Sequence, residues 1–352
     1  MPKKQLIINL SILLASIIIF LIIFEIILRF SISPKVYDMK DFVQYSDIYG
    51  WEIKPNLNKT LVIPDRTSFV ETNSMGFRDY EHNISKSQNK YRIIILGDSF
   101  TWGYGVDNNQ TYAKLLETYD KKIETINLGV PGYGTDQEYF TLMNKGLKYN
   151  PDLITLMYQI SSDVADVNTI SIGTKNILWQ KPKFVVDNNG SLVLTNYPVP
   201  KEFASSETKK TSFIKSFALY GFLRDNLLSI PIIREFLIDR FHIGRYYDFE
   251  ERYTIVYKIF YKLSQELAFR KIKFLVIIMP DGGQVKGIIS NKSIYFMENY
   301  FKKDNIEFID MYDRFKGKSD KFYFKIDGHI NEEGNKKVAE AIYNELITSK
   351  VL

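Results

Sequence analysis

The sequence predicts an α/β fold built around a parallel sheet of about five strands. Five short apolar runs, rich in β-branched residues, start near positions 92, 123, 152, 273 and 306, and a segment with helical spacing follows each one. Strands that alternate with helices pair in parallel, because the chain has to cross back over the sheet before the next strand begins. The first run also ends abruptly at Gly97-Asp98-Ser99, which is typical of a buried strand that leads into a loop.

An apolar segment precedes this domain. From residue 5 to residue 30 the sequence is almost unbroken Ile, Leu, Phe, Ala and Ser, after Lys3 and Lys4. A bilayer core needs about 20 apolar residues in helix, and no small-x-small cleavage site follows the run. We therefore predict that residues 1–34 form a cytoplasmic tip and a single-pass signal anchor, in the membrane through residues 5–28. Lys3 and Lys4 favour a cytoplasmic N-terminus, so the rest of the chain is expected outside the cytoplasm.

Residues 35–90 are predicted to form an extracytoplasmic approach segment that packs on the main domain. The alternating runs at residues 61–63 and 68–70 predict an edge hairpin.

The main domain is expected at residues 91–350. Its predicted helices and strands, in chain order, are helix 109–119, strand 123–128, helix 136–148, strand 152–158, helix 250–269, strand 273–279, helix 293–303, strand 306–309 and a closing helix after Asn331. An insertion at about residues 167–248 interrupts this alternation. It contains a predicted hairpin that turns at residues 187–190, where Asn-Gly favours a tight turn, and two short amphipathic helices in residues 212–241.

Composition excludes several classes of function. The net charge of +5 is spread over isolated lysine pairs with acidic residues between them, so the basic stripe of a nucleic-acid-binding protein is missing. The chain has no cysteine, which excludes disulfides, thiolate metal sites and a cysteine nucleophile. No motif indicates a cofactor, and the polar turn at residues 187–190 has an incomplete calcium-loop spacing.

Ser99 has two interpretations. Small polar residues after a strand are ordinary caps of the following helix, but a hydroxyl just beyond the carboxyl end of a parallel strand also lies where α/β proteins bind ligands. The choice of a base is narrow, since the chain has only three histidines. His82 and His242 are expected at the surface, whereas His329 precedes a helix and stands beside Asp327.

Four sequence blocks resemble those of the SGNH (GDSL-type) hydrolases: residues 97–100, Gly129 with Gly132, Ser162-Asp163, and residues 327–329. The resemblance covers roughly residues 90–165 and 270–348. It implies a flavodoxin-like three-layer α/β/α sandwich and acyl-transfer chemistry, with Ser99 as the nucleophile, His329 as the general base and Asp327 as the carboxylate that orients it. The backbone N–H groups of Ser99 and Gly132 would then form the oxyanion hole.

Two positions depart from the family pattern. The third block normally supplies an asparagine side chain to the oxyanion hole, and this chain has Ser162 there; either the Ser162 hydroxyl or a nearby group replaces that donor, or activity is low. The carboxylate often lies three residues before the histidine, where this chain has Ile326. A D-x-H spacing, as in Asp327 and His329, occurs in related polysaccharide O-acetyltransferases.

Three functions fit these observations. The first is a membrane-anchored extracytoplasmic esterase that hydrolyses an acyl ester, most simply an O-acetyl ester, of a glycan or lipid. The second is an O-acyltransferase that acts on a cell-surface polysaccharide beside a membrane acyl-donor protein. The third is a catalytically degenerate module for glycan binding or assembly, which the missing asparagine motivates.

Overall fold

The computed structural model describes residues 3–31, 39–167, 171–174, 177–201 and 249–350. The predicted helices of residues 212–241 lie outside the described residues. The chain divides into two units, residues 1–36 with 206–245 and residues 37–205 with 246–352.

The described part of the first unit is one helix, α1 (Lys3–Ser31). Its segment Ile8–Ile26 is long and apolar enough to cross a membrane. A membrane anchor and a signal sequence both have this length and composition. The predicted apolar helix is therefore present at the N-terminus.

The second unit begins with two antiparallel hairpins. They are formed by β1 (Val43–Ser46) with β2 (Gly50–Ile53), and by β3 (Asn58–Val62) with β4 (Thr67–Glu71). The second of these is the predicted edge hairpin, and its alternation places Leu61 and Val70 in the core. Trp51 of β2 donates a hydrogen bond from Nε1 to the carbonyl oxygen of Pro131 at 3.1 Å. This segment thus packs directly against the loop that follows the second strand of the main sheet.

The main domain alternates strands and helices as predicted. Its elements are β5 (Tyr91–Leu96), α2 (Ser99–Trp102), α3 (Tyr112–Tyr119), β6 (Ile123–Asn127), α4 (Thr135–Asn144), β7 (Leu153–Gln159), α5 (Ser162–Val167), β8 (Ser171–Thr174), β9 (Ile177–Gln180), β10 (Lys183–Val186), β11 (Leu192–Thr195), α6 (Phe249–Phe269), β12 (Lys273–Met279), α7 (Gly282–Val285), α8 (Lys292–Lys303), β13 (Glu307–Asp310), α9 (Tyr312–Phe315), α10 (Ser319–Phe322) and α11 (Glu332–Thr348).

Five of these strands form one parallel sheet in the order β13-β12-β7-β5-β6. This is the predicted five-stranded parallel sheet, with the strand order of a flavodoxin-like fold. From β5 the chain moves outward to β6 and then returns to the other side of β5 at β7. The carboxyl ends of β5 and β7 therefore flank a topological switch point, where open α/β sheets bind ligands.

Helices cover both faces of the sheet, because successive side chains of a buried strand point to opposite faces. Ile94 of β5 packs in one core with Leu142 of α4 and with α6 and α8. Ile93 of β5 packs in the other core, with Leu116 of α3 and Ile342 of α11. The architecture is a three-layer α/β/α sandwich.

Two antiparallel pairs lie in the described part of the insertion. The predicted hairpin is formed by β10 and β11, with Asp187 and Gly190 in its turn. A second pair, β8 with β9, was not predicted.

Candidate active site

The turn after β5 presents a hydroxyl group. Asp98 is the N-cap of α2, and its carboxylate accepts a hydrogen bond from the Phe100 backbone N–H at 2.8 Å. Gly97 has φ +150°, and a Cβ there would collide with the Thr101 side chain, so the turn requires glycine. Helix capping thus falls to Asp98, and the half-buried Ser99 side chain is left to contact another group.

That group is His329. The Ser99 Oγ lies 2.7 Å from His329 Nε2, and His329 Nδ1 lies 2.5 Å from Asp327 Oδ1. Because Nδ1 has to carry the proton that it shares with the carboxylate, Nε2 is the acceptor for the Ser99 O–H. The structure therefore brings together Ser99, His329 and Asp327 in the order of a Ser-His-Asp triad.

Two aromatic rings contact the His329 imidazole. The ring centres of Phe100 and Tyr104 lie 4.8 and 4.7 Å from that of His329. Both residues follow Ser99 within a few positions, so the segment that carries the hydroxyl also restricts the imidazole. Such packing fixes the orientation of a side chain at an active site.

The loop that carries Asp327 is held by a residue of the approach segment. Asp65, in the turn between β3 and β4, accepts hydrogen bonds from the backbone N–H groups of Lys325 at 3.0 Å, Ile326 at 3.1 Å and Asp327 at 2.8 Å. A carboxylate that accepts several backbone N–H groups fixes their position. Asp65 thus orients the loop that delivers both Asp327 and His329, and the sequence did not predict this.

Replacing Asp65 by alanine is expected to lower kcat for hydrolysis of p-nitrophenyl acetate by about 10- to 100-fold, since small displacements of reacting groups have effects of this size. KM should change little, and Asp65→Asn, which keeps one acceptor oxygen, should retain more activity than Asp65→Ala. The matched control is Asp41→Ala in the same segment. The Asp41 carboxylate is exposed, and its ion pair with Lys59 Nζ is long, at 3.9 Å, so this variant should keep wild-type kcat. Wild-type kcat in Asp65→Ala would contradict the positioning role.

Ser162 lies where the resemblance to the SGNH hydrolases implies an asparagine. Its Oγ lies 2.9 Å from both Asp98 Oδ2 and Gln159 Oε1. A hydroxyl has one proton to donate. If Asp98 is ionised, both neighbours are acceptors and Ser162 donates to one of them. If Asp98 is protonated, Asp98 donates to Ser162 and Ser162 donates to Gln159. In either arrangement the Ser162 proton is used within the turn.

Two backbone N–H groups, those of Ser99 and Gly132, are predicted to form the oxyanion hole. Among the described residues, neither the Ser99 nor the Gly132 backbone N–H donates a hydrogen bond to another group. Gly132 lies in the loop after β6 with φ +79°, a conformation that favours glycine. Both N–H groups are therefore available for an oxyanion.

A group of buried carboxyl groups lies behind the turns of the site. Burial is the main cause that raises the pKa of each of them, and it raises that of Asp166 to about 7. Lys181 compensates part of this charge, because its Nζ lies 2.6 Å from Asp136 Oδ1 and both side chains are fully buried. The members of the group are Asp98, Asp136, Glu138, Asp163 and Asp166.

These shifts predict that the unfolding free energy falls as the pH rises from about 4 to about 7. A carboxyl whose pKa is higher in the folded than in the unfolded state keeps its proton in the fold across this window, so the stabilisation is complete at low pH and is lost as pH rises. Replacing Asp166 by asparagine should reduce this slope by up to about 1.4 kcal/mol per pH unit. Urea unfolding of the full chain in detergent at several pH values measures it, and an unchanged slope would contradict the assignment.

One histidine prediction is wrong. His82 was expected at the surface, but its side chain is fully buried, with Nε2 3.1 Å from Asp79 Oδ2 and Nδ1 3.3 Å from Glu124 Oε1. Both acidic partners come from positions that the sequence pattern did not connect to it. His242 lies outside the described residues.

Among the described residues, no group of three or more His, Asp or Glu side chains could hold a metal ion.

No protein-family model matches the chain, and no curated protein matches it. Solved structures are similar to it at low identity. A member of the lipolytic protein G-D-S-L family from Veillonella parvula is 16% identical, with 72% of this chain and 96% of that chain covered and a TM-score of 0.41. An acetyl xylan esterase is also 16% identical, with 72% and 99% covered and a TM-score of 0.40. A GDSL-like lipase from Bacteroides thetaiotaomicron is 14% identical, with 75% and 91% covered and a TM-score of 0.41.

In its blocks around Ser99 and His329 and in the order of its five parallel strands, the chain resembles the SGNH (GDSL-type) hydrolases.

Proposed function

We propose that the chain is a membrane-anchored, extracytoplasmic serine esterase that hydrolyses an acyl ester of a glycan or lipid, most simply an O-acetyl ester. The observation that supports this best is the continuous hydrogen-bonded arrangement from Ser99 Oγ through the imidazole of His329 to Asp327. A serine hydroxyl is a weak nucleophile until an adjacent base removes its proton. The 2.7 Å distance between Ser99 Oγ and His329 Nε2 supports this role for His329.

The chemistry follows from these contacts. His329 Nε2 takes the proton as Ser99 Oγ attacks the ester carbonyl, and Asp327 stabilises the imidazolium through Nδ1–H. When the tetrahedral intermediate collapses, the alcohol leaves with the proton from Nε2 and the acyl group stays on Ser99. A water molecule then enters, gives its proton to His329 and releases the acid.

The same acyl-enzyme can react with a sugar hydroxyl instead of water, which would make the chain an O-acyltransferase beside a membrane acyl donor. The two outcomes are distinguished by incubating the full chain in detergent with p-nitrophenyl acetate, with and without an unacetylated oligosaccharide. A hydrolase releases one acetate for each p-nitrophenol, and the sugar has no effect. Acetylated sugar together with faster p-nitrophenol release would instead support transfer.

The membrane assignment is part of the proposal. Helix α1 supplies the span, and Lys3 and Lys4 favour a cytoplasmic N-terminus. A reporter enzyme that works only outside the cytoplasm, fused after Leu352, should be active. Activity only of a reporter that requires the cytoplasm would overturn this orientation.

A further inference from the structure

The side-chain amide of Gln159 is connected through the Ser162 hydroxyl to Asp98, the residue before the proposed nucleophile. Gln159 is the last residue of β7 and is 3% exposed. The neighbouring strand β5 ends at Leu96, and Asp98 and Ser99 lie in the turn that follows it. Ser162 connects the two strand ends, since its Oγ is 2.9 Å from Asp98 Oδ2 and 2.9 Å from Gln159 Oε1.

The orientation of this amide is set by its oxygen. Gln159 Oε1 accepts hydrogen bonds from the backbone N–H groups of Ser161 at 2.9 Å and Ser162 at 2.6 Å. Both groups are donors only, so the oxygen and not the nitrogen has to face them. The Nε2 atom therefore points away from this turn in a fixed direction.

The nitrogen is available as a donor. Among the described residues, Gln159 Nε2 donates no hydrogen bond. It is also not a fully buried atom that lacks a partner, so Nε2 itself is in contact with solvent. Leaving an amide N–H₂ without a protein partner in an almost buried side chain is unfavourable. An amide held at one end and open at the other is typical of a binding site.

We propose that Gln159 Nε2 is the third donor of the oxyanion hole. A serine in place of the asparagine that the resemblance implies removes an amide, and the Gln159 amide lies against the shorter Ser162 side chain, with Gln159 Oε1 2.9 Å from Ser162 Oγ. Together with the Ser99 and Gly132 backbone N–H groups, this gives one donor each from β7, from the turn after β5 and from the loop after β6. The proposal rests on the proposed esterase function.

In the reaction, the bond between Ser99 Oγ and the carbonyl carbon forms while the π-electron pair of the carbonyl moves to its oxygen and the Oγ proton moves to His329. Gln159 Nε2–H donates to the resulting oxyanion and not to a leaving group, so no atom leaves or joins Gln159. When the carbonyl re-forms, the electron pair returns and the alcohol leaves with the proton. A donor that acts on the developing charge raises kcat rather than substrate affinity.

The test compares the full-length chain in detergent micelles with Gln159→Met and Gln159→Leu, using p-nitrophenyl acetate. Both side chains are apolar and similar in size to glutamine, so each removes the amide donor without adding a carboxyl that could donate in its protonated form. Both variants are expected to lower kcat by about 10²–10³-fold, with KM within about threefold of wild type. The matched control is Gln137→Met, a fully buried glutamine whose Nε2 donates to the Tyr49 carbonyl, which should keep kcat within about threefold.

The inference is overturned if either folded Gln159 variant keeps kcat within tenfold of wild type, or if Gln137→Met loses as much. Circular dichroism shows which variants fold, and if Gln159→Met does not, Gln159→Leu decides alone. Ser99→Ala in the same assay separates the two proposals. Activity that survives Ser99→Ala removes the esterase proposal itself, whereas Ser99-dependent activity with unaffected Gln159 variants removes only the donor assignment.

Discussion

Replacing Ser99 by alanine should lower kcat for hydrolysis of p-nitrophenyl acetate by about 10⁴–10⁶-fold, because the acyl group then has no oxygen to bond to. His329→Ala should have an effect of the same order, since the Oγ proton then has no acceptor at 2.7 Å. Residues that act as a unit do not add, so the double variant should be no slower than either single variant. Steady-state kinetics of the full chain in detergent measure all three.

The matched control for this prediction is Ser161→Ala. Ser161 is an exposed serine at the end of the neighbouring strand, and its Oγ donates to Asp281 Oδ2 at 2.6 Å. It should keep kcat within a few-fold of wild type. A Ser161→Ala variant that loses activity while Ser99→Ala retains it would show that the nucleophile has been assigned to the wrong serine.

Replacing Arg78 by methionine should lower the unfolding free energy by about 3–5 kcal/mol. Arg78 is 1% exposed, and burial lowers its pKa to about 9. Its guanidinium donates to the Asn108 side chain and to four backbone carbonyl groups, those of Phe69, Trp102, Gly103 and Val106. Methionine leaves these buried carbonyl groups without a donor, and each such loss is destabilising by about 1–3 kcal/mol.

Urea unfolding of the full chain in detergent, followed by tryptophan fluorescence, measures this loss. Arg78→Lys should recover only part of it, because an ammonium group lacks the forked geometry of guanidinium. Arg270→Met is the control: this arginine is half-exposed and forms a 3.4 Å pair with Glu266, so the change should stay within about 1 kcal/mol. Equal losses of unfolding free energy in Arg78→Met and Arg270→Met would show that the hydrogen bonds of Arg78 to buried carbonyl groups do not stabilise the fold as described.

The parallel sheet could be predicted from sequence because each strand carries its own local pattern. The run at residues 273–279 coincides with β12, since six of its seven residues are apolar and a run buried on both faces of a parallel sheet has few alternatives. The order of the strands was implied by the resemblance rather than by periodicity. The β8 and β9 pair was missed, because its strands are only four residues long and short runs carry little periodic information.

The proximity of Ser99, His329 and Asp327 could be predicted because few residues of the chain compete for each of the three positions. The chain has three histidines, and only His329 has an aspartate two positions before it, so few candidates for the general base had to be compared. Asp65 could not be predicted, since it contacts backbone N–H groups about 260 positions away and a backbone contact leaves no pattern in the sequence. Gln159 carried one signal in the sequence, a polar side chain at the end of an apolar strand. Its proposed role depends on the orientation of its amide, which is set by the Ser161 and Ser162 backbone N–H groups that donate to Oε1, and the sequence does not show this.

The central claim is that Ser99 is a nucleophile activated by His329. The most direct measurement is peptide mapping by mass spectrometry after the full chain reacts with a fluorophosphonate, which forms a stable adduct with an activated serine. The account predicts one adduct in the wild type, on Ser99, and none in Ser99→Ala or His329→Ala. An unmodified wild-type chain, or an equal adduct on another residue in Ser99→Ala, would contradict it.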